Sequence, residues 1–242
     1  MEKDDKSNVT NLAVKKPKKA AKTKNNVIAL KPIVQGEYFT VAEDRSSVTI
    51  ELYQEIENGN EQISELVLRR SQIGDLADAF EMKGGEDVMQ RSLNKFSLLT
   101  GLPVSVIEQI DETEDVPVLL EATEAFRSIH EYKNADDNPL IRIAEDKQSC
   151  TIKLVHPVEY INRKGDDVTI ESLVMQRPKL ADSNKAAKKA PQNTYLQDIY
   201  RWAELCNVSV NVIRQIDEAD DRESLVQAAE LFRGRRNKRR KR

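Results

Sequence analysis

The chain contains the same seven-residue pattern twice. Residues 106–112 read VIEQIDE and residues 212–218 read VIRQIDE, so the two segments lie 106 positions apart (212 − 106 = 106). The register continues without a gap to Phe126-Arg127 and Phe232-Arg233. Solenoid repeats recur every 20 to 50 residues or so, roughly half this spacing or less. The pattern therefore predicts two domain-sized copies of one unit.

Charge is separated along the chain, although the net charge is only −3. Residues 1–31 carry nine lysines and three acids, and residues 233–242 carry eight basic residues and no acid. The segment between them has 21 basic and 38 acidic residues, since 38 − 17 = 21 and 41 − 3 = 38. This pattern predicts an acidic body between two basic arms that are able to bind polyanions.

Several classes of protein fit the sequence poorly. Cys150 and Cys206 are the only cysteines and form no Cys-x-x-Cys pair, which favours a reducing compartment without disulfides or a zinc site. No apolar run approaches the ~20 residues that span a bilayer, and the N-terminus does not read as a secretory signal. We therefore expect no membrane partner.

Periodicity predicts the elements of the first copy. Apolar residues alternate with polar ones around Val48 and again from Ile63, which predicts a β-hairpin over 48–69. Helical spacing follows over 73–80 and 88–99, with Gly101 ending the second helix. A short helix over 103–110 and a fourth helix with Asp115 as its N-cap complete the copy.

The second copy repeats this plan. Strands are predicted around Ile152 and over 168–175, with helices over 192–206 and 209–216 and a last helix capped by Asp221. The predicted fold class is α+β, with two tandem copies that each consist of a β-hairpin and a small helical bundle. The predicted organisation is a disordered lysine-rich arm, copy one, a linker, copy two and a basic tail, at residues 1–30, 40–128, 129–141, 142–233 and 234–242.

Residues 96–110 have the layout of a helix-turn-helix, which suggests DNA binding. A recognition helix meets phosphates through basic or neutral donors, but the second helix here carries Glu108 and runs into Asp111 and Glu112. The second copy adds only Arg214 beside several acids. A helical corner with packed apolar residues is therefore favoured over a DNA-reading helix.

The acidic residues after the short helix raise the alternatives of a metal site and of an acid–base pair. Asp111, Glu112, Glu114 and Asp115 lack the glycine turn and alternating ligands of a calcium loop, which favours a solvated connection plus an N-cap. His130 and His156 have no Cys or Ser partner in a repeated position, and no phosphate-binding loop is present. We therefore expect no enzyme, no metal and no cofactor.

The order of these motifs resembles a known family. Each copy has a strand ending in Arg, a short helix ending in I-D and an apolar helix ending in Phe, and copy one has L-T-G-L-P before its short helix. In this respect the chain resembles the small tail assembly chaperones of contractile-tailed bacteriophages. The matching stretches are 63–70, 98–110 with Asp111 and Asp115, and 119–126 in copy one, and 170–178, 205–216 with Asp217 and Asp221, and 225–232 in copy two.

The resemblance implies a function in virion assembly. Members of the family are thought to cover the hydrophobic tape measure protein in the cytoplasm of the infected cell before the tail tube polymerises around it. They are absent from the mature virion. Two copies on one chain leave both a monomeric double unit and self-association open.

A chaperone of this kind needs apolar grooves for its partner. The predicted groove is the helical part of each copy, with an ordinary core position as the alternative for every residue. Its candidate residues are Leu93, Phe96, Leu99, Ile107, Leu119, Phe126, Ile199, Trp202, Leu205, Ile213, Leu225 and Phe232.

The basic tail supports a second hypothesis, a nucleic-acid-binding protein that acts through its terminal arms. This hypothesis predicts binding that weakens steeply with salt and is lost when residues 234–242 are deleted. A simple solvated tail and a structural virion protein are further alternatives. The candidate polyanion-binding residues are Arg235, Arg236, Lys238, Arg239, Arg240, Lys241 and Arg242.

Overall fold

The fold is a mixed α+β arrangement. The computed structural model of the protein describes residues 30–129, 132, 136–162 and 165–232. Within these residues there are two three-stranded antiparallel sheets and eight helices, which confirms the predicted α+β class. The predicted arms, apart from Leu30, lie outside the described residues.

The first half of the chain, residues 30–129, has three strands followed by four helices. Strands β1, β2 and β3 span Phe39–Val41, Ser47–Asn58 and Glu61–Arg69. Helices α1, α2, α3 and α4 span Ile73–Glu81, Val88–Thr100, Val104–Ile107 and Asp115–Ala125.

The second half, residues 136–232, has its elements in the same order. Strands β4, β5 and β6 span Ile141–Ile143, Ser149–Ile161 and Asp167–Gln176. Helices α5, α6, α7 and α8 span Leu180–Lys189, Thr194–Cys206, Val210–Arg214 and Arg222–Leu231. No helix or strand is predicted for the lysine- and alanine-rich stretch that forms α5.

Both predicted hairpins are present, and each has a short third strand that the sequence analysis does not predict. β2 pairs with β1 and β3, and β5 pairs with β4 and β6. The register shifts between Glu51 and Ile56 in the first hairpin and between Lys153 and Val158 in the second. Such bulges leave backbone groups without ladder partners, and these groups need others.

Two aspartates that follow the repeated pattern bind the bulged strands. The Tyr53 N–H donates to Asp115 Oδ1 at 2.8 Å, and the Val155 N–H donates to Asp221 Oδ1 at 2.6 Å. The prediction that Asp115 is an N-cap is wrong, because Glu114 holds that position. Asp221 does hold the N-cap position of α8, but its carboxylate makes no capping bond there. Both carboxylates serve the unpaired strand amides instead.

The ends of the long helices agree better with the predictions. Asp87 accepts a hydrogen bond from the Gln90 N–H at 2.9 Å and begins α2, which ends at Gly101 as predicted, with φ of 73°. α6 ends at Asn207 in the same left-handed region, with φ of 53°. Asparagine tolerates this conformation better than most residues because its side chain bonds locally.

The two cores do not follow the division into halves. The first core joins β1, β2 and β3 to residues of α2, α3 and α4. The second core joins β5 and β6 to α6, α7 and α8, and it also includes Ile73 and Ala77 from α1. Helix α1 of the first half therefore packs into the second half.

The predicted linker is partly buried. Leu140 lies within it and is buried, as are Ile129 and Asn138. Asn138 donates to Ser224 Oγ and Gln227 Oε1 on α8, at 3.2 and 3.0 Å. The described part of this segment is therefore held against the last helix.

Candidate functional site

The structure places most of the predicted groove residues in the two cores. Nine of the twelve are buried: Leu99, Ile107, Leu119, Phe126, Ile199, Trp202, Leu205, Ile213 and Leu225. Leu93, Phe96 and Phe232 are partly exposed. A buried side chain contacts a partner only if the core opens, so the accessible part of the predicted groove reduces to these three positions.

Leu93 and Phe96 belong to a wider apolar surface on α2. Val88 and Met89, in the first turn of the same helix, are 68% and 65% exposed. At 100° per residue, these four side chains fall within one broad stripe of the helix. We call this stripe, formed by Val88, Met89, Leu93 and Phe96, the α2 face.

The corresponding surface of the second half is covered. Tyr195, Ile199 and Trp202 of α6 lie 106 positions after Met89, Leu93 and Phe96, and Ile199 and Trp202 are buried. α1 packs against α6 and α7, and its Phe80 ring lies 6.3 Å from the Tyr195 ring. In the second half, this surface therefore binds a helix, whereas on α2 it is largely exposed.

An ion-paired junction fastens α1 to the second half. Arg70, at the end of β3, donates through Nε to Asp217 and through Nη2 to Asp220, both at 2.5 Å. All three side chains are mostly buried, and the guanidinium lies 5.8 Å from the centre of the Phe126 ring. Two carboxylates therefore share one buried cation.

Backbone hydrogen bonds accompany these ion pairs. The Ile73 N–H donates to the Ile216 carbonyl at 2.9 Å, and the Glu218 N–H donates to the Ser71 carbonyl at 3.0 Å. Together they form an antiparallel bridge between Gln72 and Asp217. The second copy of the repeated pattern is thus paired with the segment that leads into α1.

Asp220 is the most heavily bonded residue of this junction. It accepts from the Ser128 N–H at 2.8 Å and from the Ser128 hydroxyl, and it lies 2.9 Å from His156 Nε2. Burial by itself raises the pKa of the carboxyl, but the bonds from His156 and Ser128 and the charge of Arg70 outweigh it. They lower the pKa of Asp220 to about 2.

His156, Asp217 and Asp220 offer ligand atoms within 4.8 Å of one another, which is close enough for a metal ion. The Arg70 guanidinium already bonds both carboxylates. A cation that entered between them would have to displace this buried charge, so the arrangement fits a structural ion pair better than a metal centre. The predicted acidic cluster at residues 111–115 does not form such a group in the described structure.

Sequence analysis does not find this junction. Arg70 and Asp217 lie 147 positions apart and show no local pattern that relates them. Ion pairs also connect Lys95 with Glu218, at 2.7 Å, and Arg214 with Asp78. The only local signal is the repeated acidic pattern, which the sequence analysis interprets as packing and capping.

The candidate polyanion-binding residues of the basic tail lie outside the described residues, so that prediction stays untested. In the described part of the chain, none of the helices has the length and apolar character needed to cross a bilayer. Comparison of the chain with protein-family models, with curated proteins and with solved structures finds no match.

Proposed function

We propose that this protein is a non-enzymatic tail assembly chaperone of a contractile-tailed phage, built from two copies of one unit. It binds the tape measure protein in the cytoplasm of the infected cell and keeps it soluble until the tail forms. The observation that carries this proposal is the family-like motif L-T-G-L-P-x-x-x-I-x-x-I-D of copy one, whose I-x-x-I-D part recurs between the equivalent helices of the second half, where L-C-N-V-S stands in place of L-T-G-L-P.

The duplication is supported by contacts as well as by sequence. Each half has three strands and four helices in the same order. Asp115 and Asp221, 106 positions apart, each bind the bulge of the hairpin in their own half. Their partners are Tyr53 and Val155, which are 102 positions apart. α1 and α5 also begin alike, since Asp75 and Asp182 each accept from the backbone N–H of the preceding N-cap residue.

The α2 face supports binding of a helical client. Val88 and Met89 are large apolar side chains that water surrounds, and the equivalent surface on α6 is occupied by a helix. An amphipathic client helix that lies along α2 would bury this stripe as α1 buries the surface of α6. The resemblance implies that the tape measure protein presents helices with exposed apolar faces.

Co-expression with the tape measure protein of the same phage tests the proposal. We expect a higher soluble yield of the tape measure protein and its co-purification with the chaperone. Replacing Val88 and Met89 together by Asp should abolish both effects while the circular dichroism spectrum stays unchanged. Leu120→Asp, an exposed apolar position on α4, is the matched control and should leave both effects intact. The absence of solubilisation and of co-purification with the unchanged chaperone would contradict the proposal.

A further inference from the structure

We propose that the protein self-associates head to tail, by repeating between two molecules the junction that joins the two halves of one molecule. Each half carries residues for both sides of the junction. Within one molecule, one side from the first half contacts the other side from the second half, and the two remaining sides are unused. The inference rests on the correspondence between the halves and does not depend on the identity of the client.

One unused set lies at the start of α5. Arg177 and Leu180 follow Arg70 and Ile73 by 107 positions (177 − 70 = 107), at the same point between strand and helix. Ile73 is 4% exposed in the internal junction, whereas Leu180 is 88% exposed. Arg177 is exposed as well. The apolar and the basic side chain that bind the second half are therefore duplicated on a surface that the described residues leave exposed.

Two further residues of the second half, one basic and one aromatic, correspond to members of the internal junction. Arg201 of α6 corresponds to Lys95, which pairs with Glu218 in the internal junction. In the described structure, Arg201 Nε is buried and has no hydrogen-bond partner. Phe232 corresponds to Phe126 but is only partly buried. We call Arg177, Leu180, Arg201 and Phe232 together the basic groove, because they correspond to the residues that form one side of the internal junction.

The other unused set is the first copy of the repeated pattern. Ile110, Asp111, Glu112 and Glu114 correspond to Ile216, Asp217, Glu218 and Asp220, each 106 positions earlier. Ile216, Asp217 and Asp220 are buried, whereas Glu112 and Glu114 are exposed and Asp111 is partly so. We call residues 108–114 the acidic corner. Its side chains are the counterparts of those that hold Arg70 and Lys95.

A reversed charge pair supports the match between the two surfaces. In the internal junction, Asp78 of α1 pairs with Arg214 of α7. The corresponding residues are Lys185 of α5, which pairs with Glu204 at 2.8 Å within one molecule, and Glu108 of the acidic corner. Both charges of the pair are reversed, so α5 of one molecule and the acidic corner of another would still attract each other. Complementary charges of this kind are typical of protein interfaces.

The backbone pairing can also be repeated. The internal bridge uses the Ser71 carbonyl and the Ile73 N–H. Pro178 replaces Ser71 and lacks an N–H, but the bridge requires only its carbonyl. A methyl group on Gly74 would lie 3.0 Å from Arg214 Cβ, so Ala181 at the corresponding position needs a slightly wider approach to Glu108. We therefore expect a weaker contact than the internal junction.

One molecule offers its acidic corner and its basic groove at different places, so the contact is heterologous and each bound molecule exposes a new site. Growth continues along a chain unless it closes into a ring. α5 of the neighbour would lie on the α2 face, as α1 lies on α6. Client binding and self-association therefore compete for this surface.

Sedimentation velocity of the nuclease-treated full chain tests the inference. The average mass should rise with protein concentration beyond a dimer and should fall with added salt. A groove variant, Arg177→Glu with Leu180→Asp, and a corner variant, Glu108→Arg with Glu112→Arg, should each weaken association by at least about tenfold, since close charge pairs across interfaces contribute ~1.5 kcal/mol or more. Leu120→Asp should associate like the unchanged protein.

A mixture of the two variants separates this arrangement from a symmetric dimer. The groove variant keeps its acidic corner and the corner variant keeps its basic groove, so together they should form a 1:1 dimer that grows no further. The proposal is overturned if the unchanged protein is monomeric or if its mass saturates at two chains. It is also overturned if nuclease treatment abolishes association or if the mixture forms no 1:1 dimer. None of these outcomes depends on the client, so a failed client assay leaves this test intact.

Discussion

The two copies of the repeated pattern lie in different surroundings. In the second half, Asp217 and Asp220 are buried against Arg70, whereas in the first half the corresponding Asp111 and Glu114 face solvent to a large extent. Asp115 and Asp221, by contrast, make the same bond to a bulged strand. The segment that contains the pattern and the aspartate after it therefore has a local function, which is common to both halves, and a long-range function, which only the second half performs within one molecule.

The largest difference is expected between Arg70→Ala and Arg177→Ala. Removing Arg70 leaves Asp217 and Asp220 buried without their cation, which should lower the free energy of unfolding by about 3 to 5 kcal/mol. Arg177 is exposed, so its replacement should leave the stability of the monomer unchanged. Urea unfolding at low protein concentration and high salt, where we expect no self-association, measures both. Similar losses of unfolding free energy for the two variants would show that the two arginines contribute equally to the stability of the monomer.

The next largest difference concerns the apolar residues beside these arginines. Ile73→Ala removes a buried side chain from the second core and should cost about 2 to 4 kcal/mol, including the cavity it leaves. Leu180→Ala should change the free energy of unfolding by no more than about 0.5 kcal/mol in the monomer. Thermal unfolding at low protein concentration provides the measurement. A large loss from Leu180→Ala would mean that α5 is covered in the monomer.

Asp115→Ala and Asp221→Ala test the function that the copies share. Each variant leaves strand amides without an acceptor, so each should cost about 1 to 3 kcal/mol. Hydrogen exchange should become faster at Tyr53 in the first variant and at Val155 in the second. If only one of the two variants lost protection at its strand, the two aspartates would not have a common function.

The last prediction concerns a dependence on pH that arises at Asp221. Burial raises the pKa of Asp221 to about 7, although backbone bonds from Val155 and His156 oppose the shift. Because the folded state holds this proton more tightly than the unfolded state, the contribution of Asp221 to stability falls as the pH rises from about 4 to 7. Asp221→Asn lacks the titration, so its deficit relative to the unchanged protein should shrink between pH 5 and pH 8. A constant deficit in urea unfolding would contradict this assignment.

Local patterns in the sequence predict the hairpins and the long helices. Alternation around Val48 and helical spacing over 73–80 and 88–99 depend only on neighbouring residues, and the structure has strands and helices there. β1 and β4 have three residues each, which is too short for periodicity to reveal. The sequence also shows that Asp115 lies near a helix start, but not that a strand bulge needs its carboxylate.

The candidate site is harder to predict, because an apolar stripe looks the same whether a core or a partner covers it. Trp202 and Phe96 occupy corresponding positions, and only the structure shows that the first is buried and the second partly exposed. The junction depends on residues such as Arg70 and Asp220, 150 positions apart in the chain. No periodicity connects them, and only tertiary contacts determine that α1 packs into the second half.

The position of α1 has a consequence for synthesis on the ribosome. Arg70 emerges 147 residues before Asp217, which at typical translation rates of 5 to 20 residues per second is a delay of roughly 7 to 30 s. During this interval, the nascent first half exposes Ile73, Ala77 and an unpaired arginine. Helix α1 cannot complete its packing until residues 212–216 of the second half are made. Residues 216–220 therefore complete the junction, and a ribosome that stalls between the halves holds a chain with an open surface.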